Sequence, residues 1–149
     1  MKKNAKKNNK GFSLVELIIV VAIMAILIGV LGGQYLKFVE RSRKSADQSN
    51  VDEIIRAVQI YSADPDATKA VATNDCITIT TNGTTLTKDT NGAIAAALSE
   101  AGISTTNLKL KSKEWGADCV ITFTVTNGNV SANVTPAGIA GGATATPTE

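Results

Sequence analysis

The sequence contains no histidine and only two cysteines, Cys76 and Cys119. Histidine supplies most general bases and many zinc ligands in proteins, so its absence excludes the usual histidine-based catalytic and zinc sites. Aromatic residues make up only 4% of the chain, so any core outside the long aliphatic run must be small and mostly aliphatic. No GxxxxGK phosphate-binding loop is present. We therefore expect neither an enzyme nor a protein that holds a metal or another cofactor.

Positive charge is concentrated at the N-terminus. The chain has 15 basic and 13 acidic residues, and five of the basic ones lie in the first ten positions: Lys2, Lys3, Lys6, Lys7 and Lys10. The rest is mildly acidic and gives no electrostatic case for nucleic acid as a partner. Lysines resist translocation, so a lysine cluster before an apolar run is typical of a cytoplasmic membrane anchor, with a solvated tail as the alternative.

Residues 12–31 are apolar apart from small residues and one carboxylate, Glu16. As a helix, a run of this length spans about 30 Å, the thickness of a bilayer hydrocarbon core. The remaining residues offer no comparable apolar surface, so burial in a soluble core is disfavoured for a helix that is apolar on every side. Gly32 and Gly33 follow. They could form a hinge or a locally melted segment, or could simply mark the level of the membrane interface.

An amphipathic pattern begins at Gln34 and gains a clear apolar stripe between Val51 and Tyr61. Pro65 is expected to end it, because the residue before a proline avoids helical geometry. The pattern therefore predicts one helix over Phe12–Ser62, whose second half packs on a globular body.

The period then changes to two. Hairpins are predicted over Cys76–Lys88, with a turn at Asn82–Gly83, and over Cys119–Thr135, with a turn at Asn127–Gly128. A short helix is predicted over Ala93–Ala101, and "LKLKSKEW" is typical of a strand with one wet face. We predict an α+β fold: a long N-terminal helix packed on a small antiparallel sheet of four or five strands. The final "PAGIAGGATATPTE" is predicted to be flexible, with the alternative that its glycines and threonines cover a sheet edge.

The N-terminal stretch "KGFSLVELIIVVAIMAIL" resembles the signature of type IV pilins and of the pseudopilins of type II secretion and competence systems. That signature is a short basic leader ending in glycine, then phenylalanine, then glutamate as the fifth mature residue, then an aliphatic helix. Gly11, Phe12 and Glu16 occupy these positions. The resemblance covers about the first third of the chain, and it implies a type IV pilin-like fold.

The resemblance also implies how these residues are used. A prepilin peptidase, which is also a methyltransferase, would cut after Gly11 and methylate the new amine of Phe12, and Glu16 would pair with that amine on a neighbouring subunit. Further implied partners are other pilin subunits, an inner-membrane assembly platform and an assembly ATPase. The precursor would span the cytoplasmic membrane with its N-terminus inside and its head outside, and would become part of a cell-surface pilus.

Elementary electrostatics supports the pairing independently. A carboxylate costs free energy in a membrane and needs a partner once helices bundle. Cleavage after Gly11 creates a cation, the α-amine of Phe12, only about 6 Å from Glu16 along a helix axis. Because an unpaired buried charge penalises wrong registers, such a pair contributes specificity more surely than stability. The alternative is that Glu16 lies unpaired among the lipid headgroups.

We predict four segments: a cleaved leader over 1–11, a transmembrane or filament-core helix over 12–33, an amphipathic helix over 34–64 and a head over 65–149. The resemblance implies a structural subunit, a major pilin. A pseudopilin of a secretion or DNA-uptake machine is the first alternative. A monomeric, membrane-tethered binding module is the second, and it gives Glu16 no role.

The two cysteines allow two interpretations. In an exported head we expect a disulfide between Cys76 and Cys119, which would tie the first hairpin to the last. Two free thiols are the alternative. Trp115, the only tryptophan, is interpreted as a core residue.

Two further groups of polar residues have competing interpretations. One is a set of aspartates: Asp64, Asp66 and Asp75. They could supply oxygen ligands to a calcium ion, but in our preferred interpretation they belong to a helix stop followed by a turn. The other is a set of alternating lysines that discourages strand addition or, less favoured, binds DNA or an anionic surface: Lys109, Lys111 and Lys113.

Overall fold

The computed structural model of the protein describes residues 11–140. The predicted leader up to Lys10, with its lysine cluster, and the last nine residues of the predicted flexible tail lie outside the described residues. The described part contains two helices and four strands: α1 Leu14–Ala63, β1 Cys76–Ile79, β2 Thr84–Lys88, α2 Ala93–Glu100, β3 Cys119–Thr126 and β4 Asn129–Thr135. By internal contacts the chain divides into two units, Met1–Val39 and Glu40–Glu149.

Helix α1 confirms the predicted long helix to within two residues at each end. Gly32 and Gly33 are helical, so the glycine pair does not interrupt the backbone hydrogen bonds here. The helix ends at Ala63, two residues before Pro65, as expected from the steric effect of a proline on the preceding residue. Its buried residues all lie from Asp47 onward, which confirms that only the second half carries a core-facing stripe.

The sheet is antiparallel, with strand order β2-β1-β3-β4. The second predicted hairpin is confirmed, and Asn127 and Gly128 both have positive φ, 51° and 82°, as a two-residue type I′ turn requires. The first hairpin is confirmed with a longer connection than the predicted Asn82–Gly83 turn. Strand β1 stops at Ile79, and the Thr80 hydroxyl accepts hydrogen bonds from the N–H groups of Asn82 and Gly83. A threonine side chain can thus replace ladder hydrogen bonds locally.

The strand predicted for "LKLKSKEW" is wrong. Its residues keep the predicted alternation, with Leu110 and Ser112 buried and the intervening lysines exposed, but they form no strand. The N–H of Leu110 donates to the carbonyl of Thr80 at 2.9 Å. The next two N–H groups donate to the Asp47 side chain instead of to a neighbouring strand, so no ladder forms.

The core lies between one face of the sheet and the second half of α1, with α2 packed beside it. It is mostly aliphatic, as the low aromatic content predicts; its largest fully buried side chains include Phe123, Ile54, Ile55, Ile77, Ile94, Leu98 and Ile121. Alternate residues of β1 and β3 face this core, which is the period-two pattern of a half-buried sheet. The prediction of a type IV pilin-like α+β arrangement, a long apolar N-terminal helix with a small antiparallel sheet, is confirmed.

Candidate functional site

The predicted cleavage bond lies just before the first turn of α1. Gly11, Phe12 and Ser13 are exposed and non-helical, and the helix begins at Leu14. The Phe12 side chain is 87% exposed. The bond between Gly11 and Phe12 is therefore in a segment free of helical hydrogen bonds, which is the form in which a peptidase binds a substrate chain.

The carboxylate of Glu16 is engaged within its own chain. The N–H of Ser13 donates to Glu16 Oε2 at 3.0 Å, and the N–H of Val15 donates to Ser13 Oγ at 3.4 Å. The N–H of Leu17 donates to the carbonyl of Ser13 at 3.3 Å. This is a capping-box arrangement, in which a serine before the helix and a glutamate three residues later satisfy the free N–H groups of the first turn.

Ser13 is thus a site residue that our sequence reasoning missed. The signal was present, because Ser-x-x-Glu before an apolar run is the sequence pattern of a capping box. The structure brings Glu16 to Ser13, one residue after the predicted new N-terminus. A cation created at Phe12 would therefore arise next to a carboxylate that already has one hydrogen-bond partner.

The helix that follows exposes apolar side chains on every side. From Leu14 to Leu31 its large apolar residues are between 49% and 73% exposed. By length and composition it is able to cross a membrane. A helix that is apolar all round is stable only in lipid or against other apolar surfaces, so this segment needs partners that the single chain does not supply.

The buried carboxylate of Asp47 fixes the segment after α2 to α1. It is 1% exposed and accepts from the N–H groups of Lys111 and Ser112 at 2.8 and 2.9 Å and from Trp115 Nε1 at 3.0 Å. Three donors satisfy a carboxylate that would otherwise be costly to bury. Trp115 is half-buried and packs against the core, so its hydrophobic role is combined with a hydrogen bond.

Further contacts surround this carboxylate. The hydroxyl of Ser112 donates to Glu40. That bond is the main reason why the pKa of Glu40 lies below its usual value; burial, the next largest effect, raises the pKa, and Arg43 and Lys44 lower it further. Lys44 pairs with Glu114 at 2.9 Å and lies 5.3 Å from the ring centroid of Trp115. These contacts hold the segment 110–115 against α1, and we call them the Asp47 clasp.

The expected disulfide is not present. Cys76 and Cys119 are free thiols, and the strand register places Cys76 opposite Thr122 and Cys119 opposite Ile79. Cys76 and Ile79 are three positions apart on β1, so their side chains project from opposite faces of the sheet. Cys119 therefore points into the core and Cys76 to the outer face, so a bond between them would require a shift of register.

The three aspartates considered for calcium do not act together. Asp75 is buried, and its oxygens accept from the N–H of Ala72 and from the N–H and hydroxyl of Thr90, at 3.0, 3.1 and 2.6 Å. Asp64 accepts from the N–H of Asp66 at 2.9 Å, as in the turn that we preferred. Within residues 11–140 no three side chains of the His, Cys, Asp and Glu types gather as metal ligands would.

Comparison with known sequences identifies a family motif and a relative. Residues 6–32 match the family described as prokaryotic N-terminal methylation motif. The chain carries this methylation motif. It is also 36% identical, over 58 residues, to the type IV major pilin protein PilA of Myxococcus xanthus (strain DK1622), which covers 39% of this chain and 26% of that protein. The match thus spans about a quarter of the relative's length. No solved structure matches the chain significantly.

The methylation motif ends at residue 32 and includes Gly11, Phe12, Ser13 and Glu16. The resemblance stated from the sequence, to the prepilin-type signature of type IV pilins and pseudopilins, is confirmed. The capping box lies within this motif, at the point where α1 begins.

Proposed function

We propose that this protein is a structural subunit of a type IV pilus, a major pilin, made as a precursor that is cut after Gly11, methylated at Phe12 and polymerised through α1. The observation that carries the proposal is the methylation motif placed at the start of a helix that is exposed and apolar on every side. The proposal assigns the chain a structural role and no catalytic one.

Processing changes the charge at the helix start. Cleavage replaces an amide by an α-amine at Phe12, and one methyl group leaves that amine charged. The amine then lies beside the first turn, where Glu16 holds a negative charge. In the single chain the carboxylate accepts from Ser13; in a bundle of staggered helices it would also accept from the amine of the next subunit. A register that left both charges buried and unpaired would be penalised.

Assembly by this route exchanges lipid contacts for helix contacts. Lipid tails are as apolar as leucine, so bundling of the apolar segments has little hydrophobic driving force. An energy-consuming assembly machine is therefore required. We infer that the precursor resides in the cytoplasmic membrane, and that the peptidase, an assembly platform and an assembly ATPase are its partners there.

The intact mass of the mature protein, recovered from its own host, tests the processing step. We expect the mass of residues 12–149 plus about 14 Da for one methyl group on the terminal amine. A variant in which Gly11 is replaced by alanine or a larger residue should retain the leader. A wild-type chain that kept Met1–Gly11 in a host with an active peptidase would refute the proposal.

A pseudopilin shares the processing step, so mass alone does not exclude it. The name of the matched relative, a type IV major pilin, supports the pilin. Long external fibres that contain this chain are expected. Loss of secretion or of DNA uptake on deletion, without any fibres in the wild type, would favour the pseudopilin instead.

A further inference from the structure

An acidic groove runs along the exposed side of α1 in the unit Glu40–Glu149. Two adjoining hollows, of about 450 and 280 Å³, share Ala57, Ile60 and Ala101 as lining residues. The Ile60 side chain is 73% exposed, which is unusual for a large aliphatic residue on a helix whose neighbouring turns are in the core. We name this surface the acidic groove because its carboxylates are Asp52, Glu53, Asp64 and Glu100, against one cation, Arg56.

Two of these carboxylates have no partner of opposite charge in the described residues. Glu53 and Glu100 are exposed, and the ion pairs between residues 11 and 140 involve other side chains. A groove with an apolar floor and unpaired negative charges at its rim favours a cationic occupant that also contacts the apolar floor.

The same unit carries a matching positive surface. The lysine run, defined as Lys109, Lys111 and Lys113, presents three exposed lysines at alternate positions of the segment that follows α2. None of the three forms an ion pair with residues 11–140. The backbone between them is held in place because Lys111 and Ser112 donate to Asp47. The run is thus a pre-ordered row of charges and not a loose loop.

The two surfaces do not meet within one chain. No residue of the lysine run lines the acidic groove. The run is attached at Asp47, whereas the groove includes Glu53; six residues on a helix separate these side chains by about 120° around the axis and about 9 Å along it. Any pairing between groove and run is therefore a contact between two molecules.

We propose that the acidic groove of one protomer receives the lysine run of a second copy of this chain. The contact is heterologous, because a different surface is used on each partner, and a heterologous contact that does not close into a ring generates an open filament. This inference rests on the proposed function and adds to it a specific contact between heads, beyond the helix packing of the N-terminal segment.

Charge reversal in the full-length chain, expressed in its own host, tests the contact. We expect Glu53→Lys/Glu100→Lys and Lys109→Glu/Lys113→Glu each to reduce the amount of filament sheared from the cells about tenfold, because like charges then face each other. Every protomer offers both surfaces. The variant with all four substitutions therefore restores opposite charges at every contact and should recover most of the filament. Lys111 is left unchanged, because its backbone belongs to the Asp47 clasp.

A matched control is Lys69→Glu/Lys88→Glu, which reverses two exposed lysines outside both surfaces and should assemble as the wild type does. Mature protein retained in the membrane fraction, with unchanged Trp115 fluorescence, shows that a reversed variant is folded. For a variant that does not accumulate, Glu53→Gln/Glu100→Gln replaces it, with a smaller loss expected.

Several outcomes would overturn the contact. The contact would be refuted by charge-reversed variants that form filaments at wild-type levels. It would also be refuted if the variant with four substitutions formed no more filament than the more defective of the two double variants. A control as defective as the reversed pairs would show that net charge matters and not this contact. In each of these cases the proposed function still holds, provided that the wild-type chain is processed and forms filaments. Wild-type chains without processing or filaments would refute the proposed function itself.

Discussion

Trp115 donates its indole N–H to the Asp47 carboxylate at 3.0 Å, across 68 positions of sequence. The same carboxylate accepts from two backbone N–H groups of the segment 108–113. One buried side chain on α1 thus fixes the position of a long connection that has no strand of its own. The only tryptophan of the chain reports directly on whether this clasp is closed.

Asp47→Ala is expected to lower the free energy of unfolding by about 3 kcal/mol, because it leaves buried donors without an acceptor. The thermal midpoint of the detergent-solubilised protein and a red shift of Trp115 emission measure the effect. Asp66→Ala, an exposed aspartate outside the clasp, should stay within about 0.5 kcal/mol of the wild type. A midpoint for Asp47→Ala equal to that of the control would show that the clasp contributes nothing.

The difference between what the sequence predicts and what it does not depends on distance along the chain. The start of α1, its end before Pro65 and the turn at Asn127–Gly128 follow from residues only a few positions apart, and all were predictable. The hydrogen bonds of Asp47 join residues more than 60 positions apart. No local pattern carries that information, so the alternation of the lysine run was predicted while its attachment was not.

The cysteines show the same limit at a smaller scale. Both were predicted to open strands, and both do. Whether they can bond depends on register, and one residue of register decides which face a side chain occupies. Residue spacing alone does not determine strand register, so it could not show that the two side chains lie on opposite faces of the sheet. At the N-terminus, by contrast, Gly11, Phe12 and Glu16 were recognised as a group because the whole motif is contiguous.

The two thiols should differ sharply in reactivity. Burial, together with the negative charge of Asp47, raises the pKa of Cys119 to about 12, and the thiolate is the reactive form. We expect one thiol per chain to react with an alkylating reagent under native conditions and two after unfolding. Cys76→Ser should abolish native labelling and Cys119→Ser should not. Native protein that lacked both free thiols would contradict the strand register.

Acid should destabilise the head through Asp75. Burial raises the pKa of this carboxyl, but the hydrogen bonds from Thr90 and Ala72 together outweigh burial, so its pKa is lower than the usual 3.8. A group with a lowered pKa in the folded state contributes stability at pH values above 3.8, and that contribution is lost as the pH falls through the lower, folded-state value.

Asp75→Asn isolates this contribution. The amide nitrogen of asparagine cannot accept a hydrogen bond, so one of the groups that now donate to Asp75 would face an N–H group instead. At neutral pH we therefore expect the free energy of unfolding of the variant to be lower by about 2 kcal/mol. As the pH falls below 3.8, the wild type loses its advantage and the two thermal midpoints should converge. A constant difference between the midpoints over that range would show that Asp75 is not responsible.

Glu16 caps the start of α1 and, in our proposal, also pairs with the Phe12 amine of a neighbouring subunit; a glutamine variant distinguishes the two roles. A glutamine three residues after a capping serine can still accept from the serine N–H, but it carries no charge for the amine of a neighbouring Phe12. If pairing with that amine drives assembly, Glu16→Gln should keep the helix and lose the filaments. Ser13→Ala, which removes the hydroxyl acceptor for Val15 at a cost of about 1 kcal/mol, should still assemble.

The two hypotheses therefore predict opposite results for the same pair of variants. Sheared filament, measured against mature protein retained in the membrane, gives the comparison, and Glu16→Leu serves as a variant that lacks both the cap and the charge. Filaments from Glu16→Gln together with none from Ser13→Ala would assign Glu16 to helix capping alone. The charge pair between protomers would then have no part in assembly, even though the cleavage at Gly11 could still occur.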